Sequence, residues 1–511
     1  MENHKNEFQF SLESILGFVW RGIVVGLISG FVVSIFRLAI EKIFLVVMEL
    51  YKSAHYQPII LLSITVTSII AAVIIGFFIK SDPDIKGSGI PHVEGELKGM
   101  LSPDWFSIVW KKFIAGILAI SSGLMLGREG PSIQLLGAMT GKGIAQYLNA
   151  SRMEKRVLIA SGAAAGLSAA FNAPIAGLLF VVEEIYHHFS RLVWITALVA
   201  SLVANFVSLN IFGLTPVLAL PSELPSLNLN FYWIFLLMGL FLGILGFIYE
   251  WVILRFHVIY DYLGKLFHLP SHLYGILAVI FILPIGYYFP QLLGGGNGLI
   301  VSLPRSNLSL MMLGLFFLIR FLWSMLSYSS GLPGGIFLPI LALGSLAGAF
   351  FAVGMQYFGI ISHQQISLFV VLGMAGYFGA ISKAPLTAMI LVTEMVGDLK
   401  QLMAIGIVTM VSYIVMDLLK GEPIYEAMLA KMTFNPKDKV MTPTLIELTV
   451  SDKISGKYVR DLELPENVLI TTQIHHKTSA VVSGNTILNA GDTIFLVVNE
   501  SEIKEVREQL M

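Results

Sequence analysis

Apolar positions along this chain come in long blocks separated by short polar stretches, not in the alternation of a half-buried strand. The blocks run at roughly 15–48, 58–79, 105–126, 131–149, 157–182, 192–213, 231–254, 273–289, 308–327, 335–358, 366–380, 385–397 and 401–419. About 20 residues cross a bilayer, so several blocks are too short and others long enough to demand strong tilt. Uneven lengths with Gly and Pro at the breaks predict the tilted, broken helices of a transporter or channel.

The sharpest break is Gly127-Arg128-Glu129-Gly130-Pro131, set between two apolar runs. Proline is tolerated in the first helical turn, where its missing N–H costs nothing, so Pro131 marks a helix start. The free N–H groups of that start face back toward Glu129. Neither run leaves room for a full loop in water, which predicts backbone opened inside the membrane. Such backbone survives only where protein or a water-filled cavity covers it. Glu129 is thereby placed in an anion pathway.

An internal repeat is visible. Ala173-Pro174 and Glu183 recur 211 positions later as Ala384-Pro385 and Glu394, and the SSGL of 121–124 recurs at 329–332. Each SSGL leads into a Gly-rich break, GREGP at 127–131 and GGIFLP at 334–339. Duplicated halves with breaks in matching places point to a binding site near the membrane midplane.

The pattern changes after Lys420. Of the 71 residues from 441 to 511, 16 are charged, close to the roughly 25% of a soluble domain. Strand patterns cover 468–474, 479–482 and 493–498, with a turn at Asn489-Ala490-Gly491-Asp492. An amphipathic helix over 501–510, with Ser501 as N-cap, closes the segment. The predicted organisation is a transmembrane domain over 1–432, a linker over 433–439 and a small α+β domain over 440–511.

Composition narrows the class. The 511 residues are 56% hydrophobic and 13% charged, with mean hydropathy +0.80, which makes the chain a polytopic membrane protein. A net charge of −1 offers no basic footprint for nucleic acid. The chain has no cysteine, which removes disulfides, thiolate metal sites and thiol catalysis. The first apolar block is too long for a signal peptide, so the N-terminus is expected to be kept. Lys142, Arg152, Lys155 and Arg156 read as one basic loop.

Two further Gly-rich starts join the Glu129 break: Gly87-Ser88-Gly89-Ile90-Pro91, and Gly334-Gly335-Ile336-Phe337-Leu338-Pro339. Tyr425 follows the last apolar block. Helix N-termini offer unpaired N–H groups and partial positive charge without a mobile cation. The dipole contributes only about 0.3–2 kcal/mol per helix, far less than the cost of dehydrating a halide. Hydrogen bonds to a charge, about 1.5–3 kcal/mol each, must supply the rest. The Ser88 hydroxyl, the Tyr425 phenol and the Ile336 and Phe337 amides are suitable donors. Binding stays modest, as an ion that must leave again requires. A carboxylate at Glu129 competes with the ion for the same donors and, once protonated, lets go.

Other candidates stay open from the residues alone. Glu183 and Glu184 end an apolar run, where they read either as a snorkelling interfacial pair or as a site holding one proton relay. With His187 and His188 they form E-E-x-x-H-H, which is not the H-E-x-x-H order of a zinc site. No metal or cofactor is expected, and no enzymatic activity. Gly294-Gly295-Gly296-Asn297-Gly298 lacks the Lys-Ser/Thr of a phosphate loop and reads as a connection.

On GSGIP (87–91), GREGP (127–131), GGIFLP (334–339) and Tyr425, residues 15–430 resemble the CLC chloride channel and transporter family. The resemblance implies an all-α polytopic fold of two inverted-topology repeats, and a homodimer with one pathway per subunit. It also implies that both termini are cytoplasmic. It makes Ser88, Ile336, Phe337 and Tyr425 the chloride ligands, Glu129 the gating glutamate and Glu184 the internal proton glutamate. An ionisable residue at 184 favours proton-coupled antiport over a passive channel, the alternative of the same fold. Ser88 in place of Pro looks like the chloride type, and the intact GREGP and Tyr425 argue against a fluoride exporter. Two departures stand out: His92 where relatives often carry an acid, and Leu338 where Ala is common. Residues 440–511 resemble a TrkA-C (RCK-C) domain in GKYVRDLELPENVLI and LNAGDTIFLVV, which implies a small cytoplasmic ligand. That tail and the absence of cysteine point to a bacterial plasma membrane. The expected function is chloride/proton exchange, with chloride and protons as the partners transported.

Overall fold

The structure, a computed structural model, describes residues 12–186, 190–220, 224–433, 443–451, 453–462, 464, 468–475, 478–499, 506–507 and 510. The chain divides into two compact units, Met1–Thr433 and Phe434–Met511.

Eight helices among the described residues of the first unit are long and apolar enough to cross a membrane. Pro58–Ser81 turns Ile59, Leu62, Ile70 and Phe77 outward, as a helix facing lipid does. Phe337–Tyr357 and Ile366–Ser382 are almost wholly enclosed, and a helix apolar on every side belongs in the core. These central helices approach closely through glycine. A Cβ on Gly137 or Gly162 would run into the other's carbonyl, and the same holds for Gly344 and Gly373 in the second half. Small residues let helix backbones touch where lipid supplies no hydrophobic drive for association.

Several apolar blocks are not single helices. The block predicted at 157–182 is two: Arg152–Phe171 stops at Asn172, which is left-handed at φ 54°, and Pro174–Phe180 starts anew before opening into the wide turn Val181–Ile185. In the second half Ile366–Ser382 stops at left-handed Lys383, φ 56°, before Pro385–Val396. Proline forbids a helical predecessor and lacks the N–H to continue the ladder, so each Ala-Pro sits at an equivalent break. Short helices also occupy stretches with no long apolar run, among them Ile90–Leu97 and Asn297–Ser302.

In the second unit four antiparallel strands, β1 (Pro443–Thr449), β2 (Leu469–His475), β3 (Thr478–Val481) and β4 (Thr493–Asn499), form a sheet in the order β1-β4-β2-β3. Three match the sequence pattern to within a residue. The first, β1, was not expected, although its signal is clean: Ile446, Leu448 and Val450 are buried while Leu445, Glu447 and Thr449 are exposed. Val506 and Leu510 pack into this small core with Ile494, Leu496 and Val498. The remainder of the closing helix expected at 501–510, Ser501 included, lies outside the described residues. So does the linker expected at 433–439, apart from Thr433, which ends the helix Ile424–Thr433.

Candidate anion and proton pathway

The three Gly-rich breaks meet. Gly127 and Gly335 exchange a pair of backbone hydrogen bonds of 2.7 and 2.6 Å, and the Gly334 amide donates to the Gly87 carbonyl at 3.1 Å. Gly130 lies so close to Ser88 that a Cβ there would come within 2.7 Å of the serine Cβ. Three helix starts, at Ile90, Glu129 and Phe337, are thus tied to one another by their own backbone. The turns need it: Gly87 and Gly89 have φ of 59° and 88°, values that cost an L-residue with a side chain.

Each predicted residue has a definite place. Ser88 is buried; its hydroxyl accepts from the Ile90 amide at 3.3 Å. Ile336 is the N-cap of the helix that Phe337 begins, so both amides stand where no intrahelical acceptor exists. The Phe337 ring is clamped by Phe378, Phe171 and Phe180 at 4.3, 5.3 and 6.0 Å. Tyr425 is buried in the first turn of Ile424–Thr433, and its hydroxyl has no hydrogen-bond partner among the described residues. Around that hydroxyl lie Glu184, Tyr328, Tyr249 and Glu129. Leu338 is buried beside Gly295. His92 is buried too, with Nε2 4.0 Å from Asp84.

Glu129 is fully buried, and neither carboxylate oxygen completes a hydrogen bond among the described residues. The backbone amides of Glu129 itself and of Leu338 are turned toward it. Gly127 leaves space for the carboxylate, since a Cβ there would collide with it. Arg128 and Arg37 are the nearby cations, and they share Glu41, at 2.5 and 3.1 Å. The Glu129 carboxylate therefore has positive charge beside it that is already partly neutralised.

Glu183 and Glu184 part company. Glu183 is not a snorkelling group: it accepts from the Leu386 amide at 3.1 Å and from the Thr387 amide and hydroxyl, both at 2.7 Å. Glu184 is buried in the wide turn Val181–Ile185, facing Glu94, Glu183 and Glu426. Lys98 bridges two of these neighbours, 2.7 Å from Glu94 and 2.9 Å from Glu426. His187 and His188 lie outside the described residues. Lys142 is not part of a basic loop but is buried against Glu96 at 2.5 Å.

Three participants escaped the sequence reading. Lys112, fully buried, donates to the Ser88 carbonyl at 3.2 Å. Tyr328 lines the cavity behind Ser88. Arg320, fully buried, holds the Gly-rich connection by donating to the carbonyls of Leu292, Gly294 and Gly295 at 2.7, 3.2 and 2.8 Å. The Lys111-Lys112 pair and the single Arg320 inside apolar blocks were the available signal; Tyr328 carried none.

Duplicated halves, helices broken at matching places and a buried carboxylate among their N-termini define a multi-pass membrane protein built to pass an ion. A family model described as voltage gated chloride channel matches residues 67–417, and a TrkA-C domain model matches 444–511. The chain belongs to the voltage gated chloride channel (CLC) family and carries a C-terminal TrkA-C domain. It is 34% identical to the H(+)/Cl(-) exchange transporter ClcA of Vibrio parahaemolyticus serotype O3:K6 (strain RIMD 2210633), across 81% of this chain and 89% of the relative. The ClcA of Citrobacter koseri is 30% identical, over 80% and 87%. Among solved structures, a slow cyanobacterial Cl-/H+ antiporter matches with TM-score 0.76 and 27% identity, over 81% of this chain and 98% of the other. A CLC-type fluoride/proton antiporter shares the fold, with TM-score 0.65 and 22% identity over 82% and 99%.

Proposed function

We propose that this protein is a secondary active transporter that exchanges chloride for protons across a membrane. The observation that carries the reading is the convergence of three helix starts on a fully buried Glu129 whose carboxylate lacks hydrogen-bond partners among the described residues. Burying an unpaired carboxylate costs several kcal/mol, so the site favours its neutral form or a seat among amide donors. Chloride wants those same donors. In this reading the anion rests on the Ser88 hydroxyl, the Ile336 and Phe337 amides and the Tyr425 phenol. Glu129 alternates with it: charged, it takes the anion's seat; protonated, it withdraws and the ion passes. Glu184, which acts electrostatically on Tyr425, receives the proton from the other side. Shared identity with transporters named as exchangers supports antiport.

The same reading includes a homodimer with one pathway per subunit in a bacterial plasma membrane, both termini in the cytoplasm. It takes residues 1–432 as the transport domain, 433–439 as linker and 440–511 as a regulatory domain for a small cytoplasmic ligand. The test is flux in liposomes with chloride and protons followed together. A chloride gradient is expected to drive protons uphill; chloride movement with no uphill protons would leave a passive channel of the same fold.

A further inference from the structure

A cavity of about 460 Å³ opens behind Ser88, lined by Lys86, Gly87, Ser88, His257, Tyr328 and Lys431 among others. Two lysines against a single lining carboxylate, Asp84, make it an attractive approach for an anion. Tyr328 stands one residue from the end of the helix Leu310–Ser329, and its phenol faces the Ser88 hydroxyl and backbone. It also lies against Gly87, where a Cβ would come within 3.4 Å of Oη. Oη donates to a thioether, Met428 Sδ, at 3.2 Å. Sulfur in a thioether is a weak acceptor, so this donor is held in place but poorly satisfied. Met428 itself lines the cavity.

We infer that Tyr328 is a further anion donor at this mouth of the pathway, passing its hydrogen bond from Met428 Sδ to an ion entering toward Ser88. The inference rests on the proposed chloride path through Ser88. A phenol suits the task for the reason that holds at Tyr425: it donates to the anion without a fixed positive charge that would trap it. Two hydroxyls lining one cavity, from Ser88 and Tyr328, give an incoming halide replacement donors as its water is shed. The Met428 sulfur keeps the phenol oriented when no ion is present, at little cost when it leaves.

The test uses the full chain, with chloride affinity measured calorimetrically on purified protein and flux measured in liposomes. Tyr328→Phe keeps the ring and its packing, and is expected to weaken chloride binding about tenfold, the size of one lost hydrogen bond to an ion. Met428→Leu removes the competing acceptor and is expected to tighten binding about two- to threefold in the parent, and to change nothing in the Tyr328→Phe background. Unchanged affinity in Tyr328→Phe overturns the inference, as does a Met428→Leu effect of equal size in both backgrounds. Failure of the antiport reading looks different: the parent protein itself would then bind no chloride or move no protons uphill.

Discussion

Glu183 and Glu394 cap each other's halves of the molecule. Glu183 accepts from the backbone amides of Leu386 and Thr387 at the start of Pro385–Val396. Glu394, its counterpart 211 positions on, accepts from the Ile175 and Ala176 amides at 3.1 and 2.8 Å, at the start of Pro174–Phe180. Each carboxylate meets the positive end of the other repeat's helix. A duplicated sequence thereby becomes a two-way clasp between its copies.

Neutralising either member weakens that clasp. Glu183→Gln and Glu394→Gln are each expected to lower stability by about 1–2 kcal/mol, the size of a lost N-cap, read as a lower unfolding midpoint in detergent. Chloride-driven proton movement survives in Glu183→Gln. A stably folded Glu183→Gln protein without proton movement would shift the relay from 184 to 183.

Glu129→Gln keeps the shape of the side chain but cannot exchange a proton, which tests the proposed gating role. Anion flux is expected to continue while proton movement falls to background, followed by a pH electrode and a chloride electrode together. Retained coupling contradicts the role given to Glu129. Glu184→Gln is expected to give the same loss of proton movement with chloride transport remaining, since Glu184 is buried among Glu94, Glu183 and Glu426 and is not one of the proposed chloride ligands.

Lys142 and Glu96 form a pair whose side chains are only 3% and 5% exposed. Glu96 also has the part-exposed Lys155 at 3.5 Å, so removing Lys142 takes away its one buried cation, and breaking a buried pair costs up to about 3–5 kcal/mol. Lys142→Met is expected to reduce the yield of folded protein sharply in size-exclusion profiles. The double change Lys142→Met with Glu96→Gln recovers much of it, because the buried carboxylate goes with its buried partner and Lys155 is part-exposed to solvent.

In the C-terminal domain Asp492 sits 2.7 Å from His475 Nδ1 and accepts from Gln473 at 2.6 Å and Asn489 at 3.3 Å. Burial acts to raise its carboxyl, but the bonds from these partners outweigh that and hold it below the usual carboxylate range. A depressed carboxyl stabilises the fold above its unfolded value of about 3.9, and that contribution fades as pH falls through the lower folded-state value. Hydrogen exchange across β2 and β4, corrected for intrinsic rates, is therefore expected to lose protection below about pH 4. Asp492→Asn lowers protection at neutral pH and flattens the acid response; an unaltered acid limb would count against the pairing.

The break at 127–131, the duplicated Ala-Pro and Glu positions, and the late change to a charged, strand-forming tail were all legible one residue at a time. Proline geometry, glycine conformation and the scarcity of charge in apolar blocks are local or compositional properties, so the chain displays them without folding. Partnership is not. Glu183 and Glu184 are neighbours with the same chemistry, yet the helix start at Pro385 takes one and leaves the other facing Glu94 and Tyr425. The 157–182 run concealed a break because Asn172 is unremarkable until its φ is seen. Tyr328 resembles any aromatic at a helix end until the fold brings Ser88 to it. The sequence by itself determined that helices would break, and at the three Gly-rich starts it determined where. Only the tertiary structure decided which donors share a site, because hydrogen-bond partners in a buried interior are set by packing between segments 200 residues apart, which no local pattern records.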